Sequence, residues 1–174
     1  MGLLPNQAPL ASFDDPLGLL VDCHRRIERF LGVLRDVAAR GTRLDGEARA
    51  ALAKALDYFR DAAPRHTEDE EHSLFPRLAR VLDGGAELDR LRVEHEELEP
   101  AHARIDALGR DWLARGELAA EEHAEFAAFV AALAPRYAEH IAHEERVVFP
   151  LARERLDRFD LLAIGVEMRA RRDR

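Results

Sequence analysis

Histidine and glutamate recur at helical spacing in two similar segments of this chain. Residues 66–76 read HTEDEEHSLFP and residues 140–150 read HIAHEERVVFP, and both fit the pattern H-x-x-x-E-E-x-x-x-F-P. On an α-helix, a histidine and a glutamate four residues apart lie on one face, about 6 Å apart along the axis. An imidazole and a carboxylate presented together on two helices suit a transition-metal ion held between them. The repeated segment therefore predicts a metal site.

The composition limits the class of protein and its partners. A chain of 174 residues is long enough for one domain with a substantial core, and its 47% hydrophobic but only 6% aromatic content favours an all-α protein. The net charge of −8 argues against a nucleic-acid partner. No run approaches the roughly 18 apolar residues of a membrane span. The single cysteine, Cys23, excludes an intramolecular disulfide, and with no visible secretion signal it leads us to expect a cytoplasmic protein.

Apolar residues recur every three or four positions in four long segments, which is the pattern of amphipathic helices. Asp15 and Asp45 are start signals for the first two helices, and Gly116 ends the third. Pro64 and Pro76 fall inside the second helix, where we expect local bends because the apolar stripe keeps its phase through both. Short connections between the helices predict an up-down-up-down four-helix bundle.

The chain divides into three parts on this interpretation. Residues 1–14 form an irregular arm, residues 15–157 form the bundle and residues 158–174 form a C-terminal helical tail. We expect the basic end, Arg169 to Arg174, to be a solvated or frayed helix end.

Six ionisable residues occupy core positions on the four apolar stripes. They are four histidines and two glutamates, namely His24, His66, Glu70, His95, His140 and Glu144. Each one taken alone is explained more simply as a satisfied core histidine or a solvated glutamate. Together they favour a metal site, because two buried carboxylates are costly without a cation. Iron, manganese and zinc all suit these ligands, and six ligands exceed the needs of one tetrahedral zinc ion, so two metals bridged by the carboxylates would use them well.

Several residues near these positions have more than one interpretation. Glu71 and Glu145 are rotated by about 140° from the ligand histidines, so we expect them to face solvent. His102 lies on the stripe of the third helix and either lines a pocket beside the site or packs as an ordinary core histidine. Tyr137 lies on the stripe of the fourth helix and either hydrogen-bonds to a bridging oxygen, binds iron directly or packs in the core. His143 lies at the edge of its stripe, where it can support a ligand.

The pattern H…HxxxE…H…HxxxE over residues 15–157 resembles the hemerythrin-like family, also called the HHE cation-binding domain, and the Phe-Pro continuations are similar to the family as well. The resemblance implies a left-handed four-helix bundle with the six residues named above as ligands. It also implies a non-haem di-iron centre with bridging carboxylates and an oxo or hydroxo bridge. Oxygen-carrying members have HxxxH on the third helix, whereas this chain has Glu99 four residues after His95. Glu99 is either a further ligand or a surface residue like Glu28, which has the same relation to His24.

Two functions are compatible with the resemblance. The first is a di-iron protein that binds or reacts with a small oxidant or diatomic ligand, such as O2, NO or H2O2. The second is an iron- or oxygen-responsive sensor or storage module without turnover. A helical interaction protein without metal is the third possibility. We expect neither nucleic acid nor a membrane as a partner, and the sequence leaves protein partners open.

Overall fold

Five helical runs, numbered α1 to α5, make up most of the part of the chain that the computed structural model describes, residues 11–82 and 85–173. The uninterrupted α-helices are α1 over Pro16–Ala38, α3 over Ala86–Arg115 and α5 over Arg158–Arg172. The other two, α2 and α4, cover residues 46–81 and 120–155. Both α1 and α3 pack against α2 and α4. This arrangement confirms the all-α four-helix bundle with a short additional C-terminal helix.

Wider π-helical turns interrupt α2 and α4. The α-helical segments of α2 are Gly46–Asp57, Ala63–Asp69 and Phe75–Val81, and its π turns are Tyr58–Ala62 and Glu70–Leu74. The α-helical segments of α4 are Ala120–His143 and Phe149–Arg155, and its π turn is Glu144–Val148. These turns take the place of the bends expected in α2, and neither helix breaks at them.

Proline explains where the π turns lie. The N–H of Phe75 donates to the carbonyl of Glu70, five residues back, and Pro76 follows at once. Proline cannot donate a hydrogen bond and its ring excludes the carbonyl four residues back, so a wider turn relieves the conflict. Pro100 and Pro135 lie within α-helical segments of α3 and α4, so proline alone does not produce a π turn.

Regular α-helical periodicity does not hold in α4 beyond Glu144. An uninterrupted α-helix would bury Val147 and Leu151, whereas Val147 is 44% exposed and Val148 and Ala152 are buried. A π turn holds about one residue more than an α turn, so the buried face moves one position along the chain.

The core consists of two apolar clusters with the ionisable residues between them. One cluster includes Leu56, Ile105 and Trp112, and the other includes Phe75 and Phe149. The Trp112 indole is fully buried and donates to the carbonyl of Thr42 at 2.7 Å, as expected of a plug at the bundle end. None of the helices within the described ranges is long and apolar enough to cross a membrane.

Arg171 and Arg172 of the basic C-terminal end are docked on the bundle, so the predicted solvation is wrong for these two residues. Arg171 and Arg172 donate to the two carboxylate oxygens of Asp69 at 2.8 and 2.7 Å, and Asp69 is fully buried. The hydroxyl of Ser73 on α2 donates to the carboxylate of Glu167, which lies on α5 like the two arginines. The sequence pattern missed this contact because Asp69 lies off the apolar stripe of α2 and only a fifth helix can cover it.

We predict that Asp69→Asn lowers the free energy of unfolding by about 2 kcal/mol, because it leaves two partly buried guanidinium groups without their anion. Urea denaturation measures the change. Asp61→Asn is the matched control, since Asp61 is an exposed aspartate on the same helix. Equal stability of the two variants would show that the contact between Asp69 and α5 contributes little.

Candidate metal centre

The bundle brings all six predicted ligands together midway along its length. His24 and His95 come from α1 and α3, and each of α2 and α4 contributes one histidine and one glutamate. Five of the six are buried and His95 is nearly so. Because the glutamate lies four residues after the histidine on both helices, each pair faces the bundle axis.

The ligand atoms form two overlapping groups. The first contains His24, His66, Glu70 and Glu144, and the second contains Glu70, His95, His140 and Glu144; within each group the candidate atoms lie within 4.8 Å of one another. Both groups share Glu70 and Glu144. Two carboxylates common to two groups of imidazoles are what a pair of bridged metal ions requires.

The separations fit ligands around shared ions. Two atoms about 2.1 Å from one metal and at right angles to each other lie about 3 Å apart. The imidazole Nε2 to carboxylate distances in the structure are 3.1 Å for His24 and Glu144, 3.4 Å for His66 and Glu70, 3.5 Å for His95 and Glu70, and 3.3 Å for His140 and Glu144.

The hydrogen bonding of these groups also fits a cation. No described residue forms a hydrogen bond with the carboxylate oxygens of Glu70 and Glu144 or with Nε2 of His24, although all of these atoms are buried. Buried polar atoms normally have partners. The Nε2 atoms of His95 and His140 lie 3.0 Å apart, and a shared metal ion would turn the repulsion of their lone pairs into attraction. The donor set therefore fits two divalent or trivalent ions.

Carboxylates orient three of the four imidazoles from behind. Nδ1 of His95 donates to Glu71 at 2.7 Å, and Nδ1 of His24 donates to Glu145 at 2.9 Å. The expectation that Glu71 and Glu145 face solvent is therefore wrong. Each lies at the flank of its own stripe, where a neighbouring helix comes within reach. A carboxylate on Nδ1 fixes the tautomer, directs the Nε2 lone pair inward and makes the imidazole a stronger ligand.

Glu94 is a site residue that the sequence analysis missed. Its carboxylate accepts a hydrogen bond from Nδ1 of His140 at 2.7 Å. The internal repeat gave no signal for it, because the position that corresponds to Glu94 in the first half of the chain holds Cys23. Nδ1 of His66 has no hydrogen-bond partner among the described residues.

Burial and mutual charge set the protonation of the carboxylate pair. Burial, together with the charge of Glu144, raises the pKa of Glu70 well above its ordinary value. Burial alone would also raise the pKa of Glu144, but the imidazoles of His140 and His24 lower it further than burial raises it. The protein alone thus disfavours a second negative charge on the pair, whereas cations would stabilise both carboxylates in the charged form.

The phenylalanine of the repeated motif packs on a ligand imidazole. Phe149 stacks on His24, with ring centroids 5.4 Å apart and planes 11° apart, and Phe75 stacks on His95 at 6.3 Å and 4°. The π turns that begin at Glu70 and Glu144 turn these rings toward the neighbouring helix. Each copy of the motif therefore supplies two candidate ligands, its histidine and its first glutamate. Its second glutamate and its phenylalanine contact a candidate ligand histidine on a neighbouring helix.

Comparison with known proteins agrees with this geometry. The Hemerythrin HHE cation binding domain matches residues 15–152. The chain belongs to this family. An uncharacterized protein of Haemophilus influenzae is 32% identical over 170 residues, which cover 93% of this chain and 92% of the relative. The family resemblance drawn from the motif is thereby confirmed, and cation binding follows at the level of the family.

In this hemerythrin-family protein, the other residues considered as possible ligands or supporting groups lie outside both ligand groups. Glu99 is exposed at the edge of a cavity beside the site. His143 contacts Glu87 on α3 instead of a ligand histidine. His102 and Tyr137 hydrogen-bond to each other at 2.7 Å and line the same cavity.

We predict that Glu71→Gln and Glu145→Gln each weaken metal affinity by about tenfold or more, because a neutral amide polarises the imidazole Nδ1–H less than a carboxylate does. Competition with a chelator of known affinity measures the change. Glu121→Gln, on the exposed first turn of α4, is the control. Affinities equal to that of the control would remove these residues from the site.

Proposed function

We propose that this protein holds two iron ions with an oxo or hydroxo bridge and binds or reacts with a small oxidant or diatomic ligand, namely O2, NO or H2O2. His24, His66, His95 and His140 would hold the ions together with Glu70 and Glu144, the two carboxylates that both ligand groups share. When bound, the iron pair would supply redox equivalents and an open position for the small molecule. The protein supplies the ligand positions and the orientation of the imidazoles.

The observation that carries this proposal is the sharing of both buried carboxylates by the two ligand groups. A single tetrahedral zinc ion would take four of the six residues, as either ligand group does, and leave two imidazoles unused. Imidazole and carboxylate together suit iron and manganese, and the described ligand groups contain no thiolate. Iron is proposed over manganese because the resemblance to hemerythrins implies it. The family membership supports a cation and leaves the choice of metal to measurement.

The first test is elemental analysis of the purified protein with an absorption spectrum in air. We expect about two irons per chain and near-ultraviolet charge-transfer absorption that changes on addition of azide or peroxide. His66→Ala and His140→Ala should lose most of the iron and this absorption, because each removes a terminal ligand. His72→Ala is the matched control, since His72 is exposed on the same helix as His66. Unchanged iron in both ligand variants contradicts the proposal. Absence of iron from the unaltered protein after expression in iron-rich medium favours a helical interaction protein without metal.

A sensor or storage module without turnover is the second candidate. It is supported by the contacts of α5 with the π turn that begins at Glu70 and with the residue directly before that turn. Arg171 and Arg172 bind Asp69, directly before Glu70, and Glu167 accepts from Ser73 within the turn. A change in metal occupancy at Glu70 would therefore reach α5 through adjacent residues.

We predict that removal of metal by a chelator lowers the melting temperature, because ligands from four helices converge on the ions. Hydrogen exchange should then rise in α5 as well as around the ligands. Faster exchange in α5 without consumption of peroxide or nitric oxide supports a sensor. Turnover with unchanged exchange in α5 supports an enzyme and contradicts the sensor.

A further inference from the structure

A cavity of about 520 Å³ lies against the metal centre, on the side away from α5. The imidazoles of His66, His95 and His140 form part of its wall. A water molecule takes about 30 Å³ of liquid, so a diatomic molecule or peroxide would fill only a small part of this space. Pockets for small organic ligands measure about 300–1,000 Å³. The cavity therefore exceeds the needs of the proposed small oxidant.

The cavity has an apolar wall and one hydrogen-bonded polar pair. The wall includes the aliphatic side chains of Ile27, Leu56, Leu98, Ile105 and Ile141, together with the ring of Phe59. Nε2 of His102 and the hydroxyl of Tyr137 lie 2.7 Å apart within this lining. Burial lowers the pKa of His102 to about 4 and raises the pKa of Tyr137, so both are uncharged near neutral pH.

The charge around the cavity disfavours anions. Five acidic residues line it, namely Glu68, Glu71, Glu96, Glu99 and Asp106, whereas Arg60 is its one permanently charged basic residue among the described lining residues. An anionic ligand would meet this negative potential on entry. A neutral molecule enters without that cost and can hydrogen-bond to the uncharged pair.

We infer that this cavity is a binding site for an uncharged organic molecule, whose apolar body fills the cavity and whose hydroxyl group hydrogen-bonds to the pair of His102 and Tyr137. The bound molecule lies against three imidazoles of the metal centre. This inference goes beyond the proposed function, because it adds an organic ligand to the small oxidant and stands on protein side chains alone.

The test is calorimetric titration of the protein as purified with naphthalene-methanol, and with naphthoate as an anionic probe of similar size. We expect one site per chain for the alcohol and at least about tenfold weaker binding of naphthoate. Tyr137→Phe should weaken binding of the alcohol by about fivefold, the effect of one hydrogen bond. Equal affinity for the two probes, or no binding of the alcohol, overturns the inference.

A matched pair of surface variants locates the site. Ala103 lines the cavity and is exposed at its edge, and Ala107 is exposed one turn further along α3, outside the lining. We expect Ala103→Trp to block binding of naphthalene-methanol and Ala107→Trp to leave it unchanged. Equal binding by both variants overturns the inference. Iron is measured in the same samples: binding of the alcohol without iron contradicts only the proposed function, and iron without binding contradicts only the inference.

Discussion

Two buried carboxylates that face each other in the middle of the bundle are the constraint on which the structure depends. Glu70 and Glu144 belong to both ligand groups, and no described residue hydrogen-bonds to their oxygen atoms. Two such charges in an apolar core would destabilise the fold by several kcal/mol unless they are neutralised. The four surrounding imidazoles and a bound pair of cations would meet that requirement. The stability of the bundle and the chemistry at its centre therefore both depend on how these two charges are neutralised.

The two halves of the internal repeat meet this requirement with the same types of residue at corresponding positions. In each half, the even-numbered helix provides a histidine and a glutamate as ligands, and its next glutamate and its phenylalanine hold the histidine of an odd-numbered neighbour. Glu71 and Phe75 of α2 both contact His95, and Glu145 of α4 contacts His24. The proline that ends the motif follows directly after the π turn, and this turn brings the phenyl ring toward the neighbouring helix. The approximate two-fold symmetry of the site follows from this exchange.

The surroundings of the site are less symmetric than its ligands. On one side, α5 packs on α1 and α2 and pairs its arginines with Asp69, which closes that face of the site. On the other side, an apolar cavity reaches three of the imidazoles. His140 has Glu94 behind it, whereas the corresponding position near His66 is Cys23. The cavity lining includes His66, His95 and His140 but not His24, so the two ligand groups have different surroundings.

The sequence by itself determined the helices, their order and the six ligand positions, because helical periodicity and the spacing H-x-x-x-E are local properties that an α-helix converts directly into a shared face. Tertiary structure decided everything that depends on a neighbouring helix. Glu71 and Glu145 lie at the flank of a stripe, and only the packing distance to α3 and α1 makes them partners of His95 and His24. The shift from Val147 to Val148 arises from a π turn that regular periodicity cannot show. The run of arginines at the end of α5 predicted a solvated helix end when the sequence was considered alone. The fold places Arg171 and Arg172 against their buried anionic partner, Asp69.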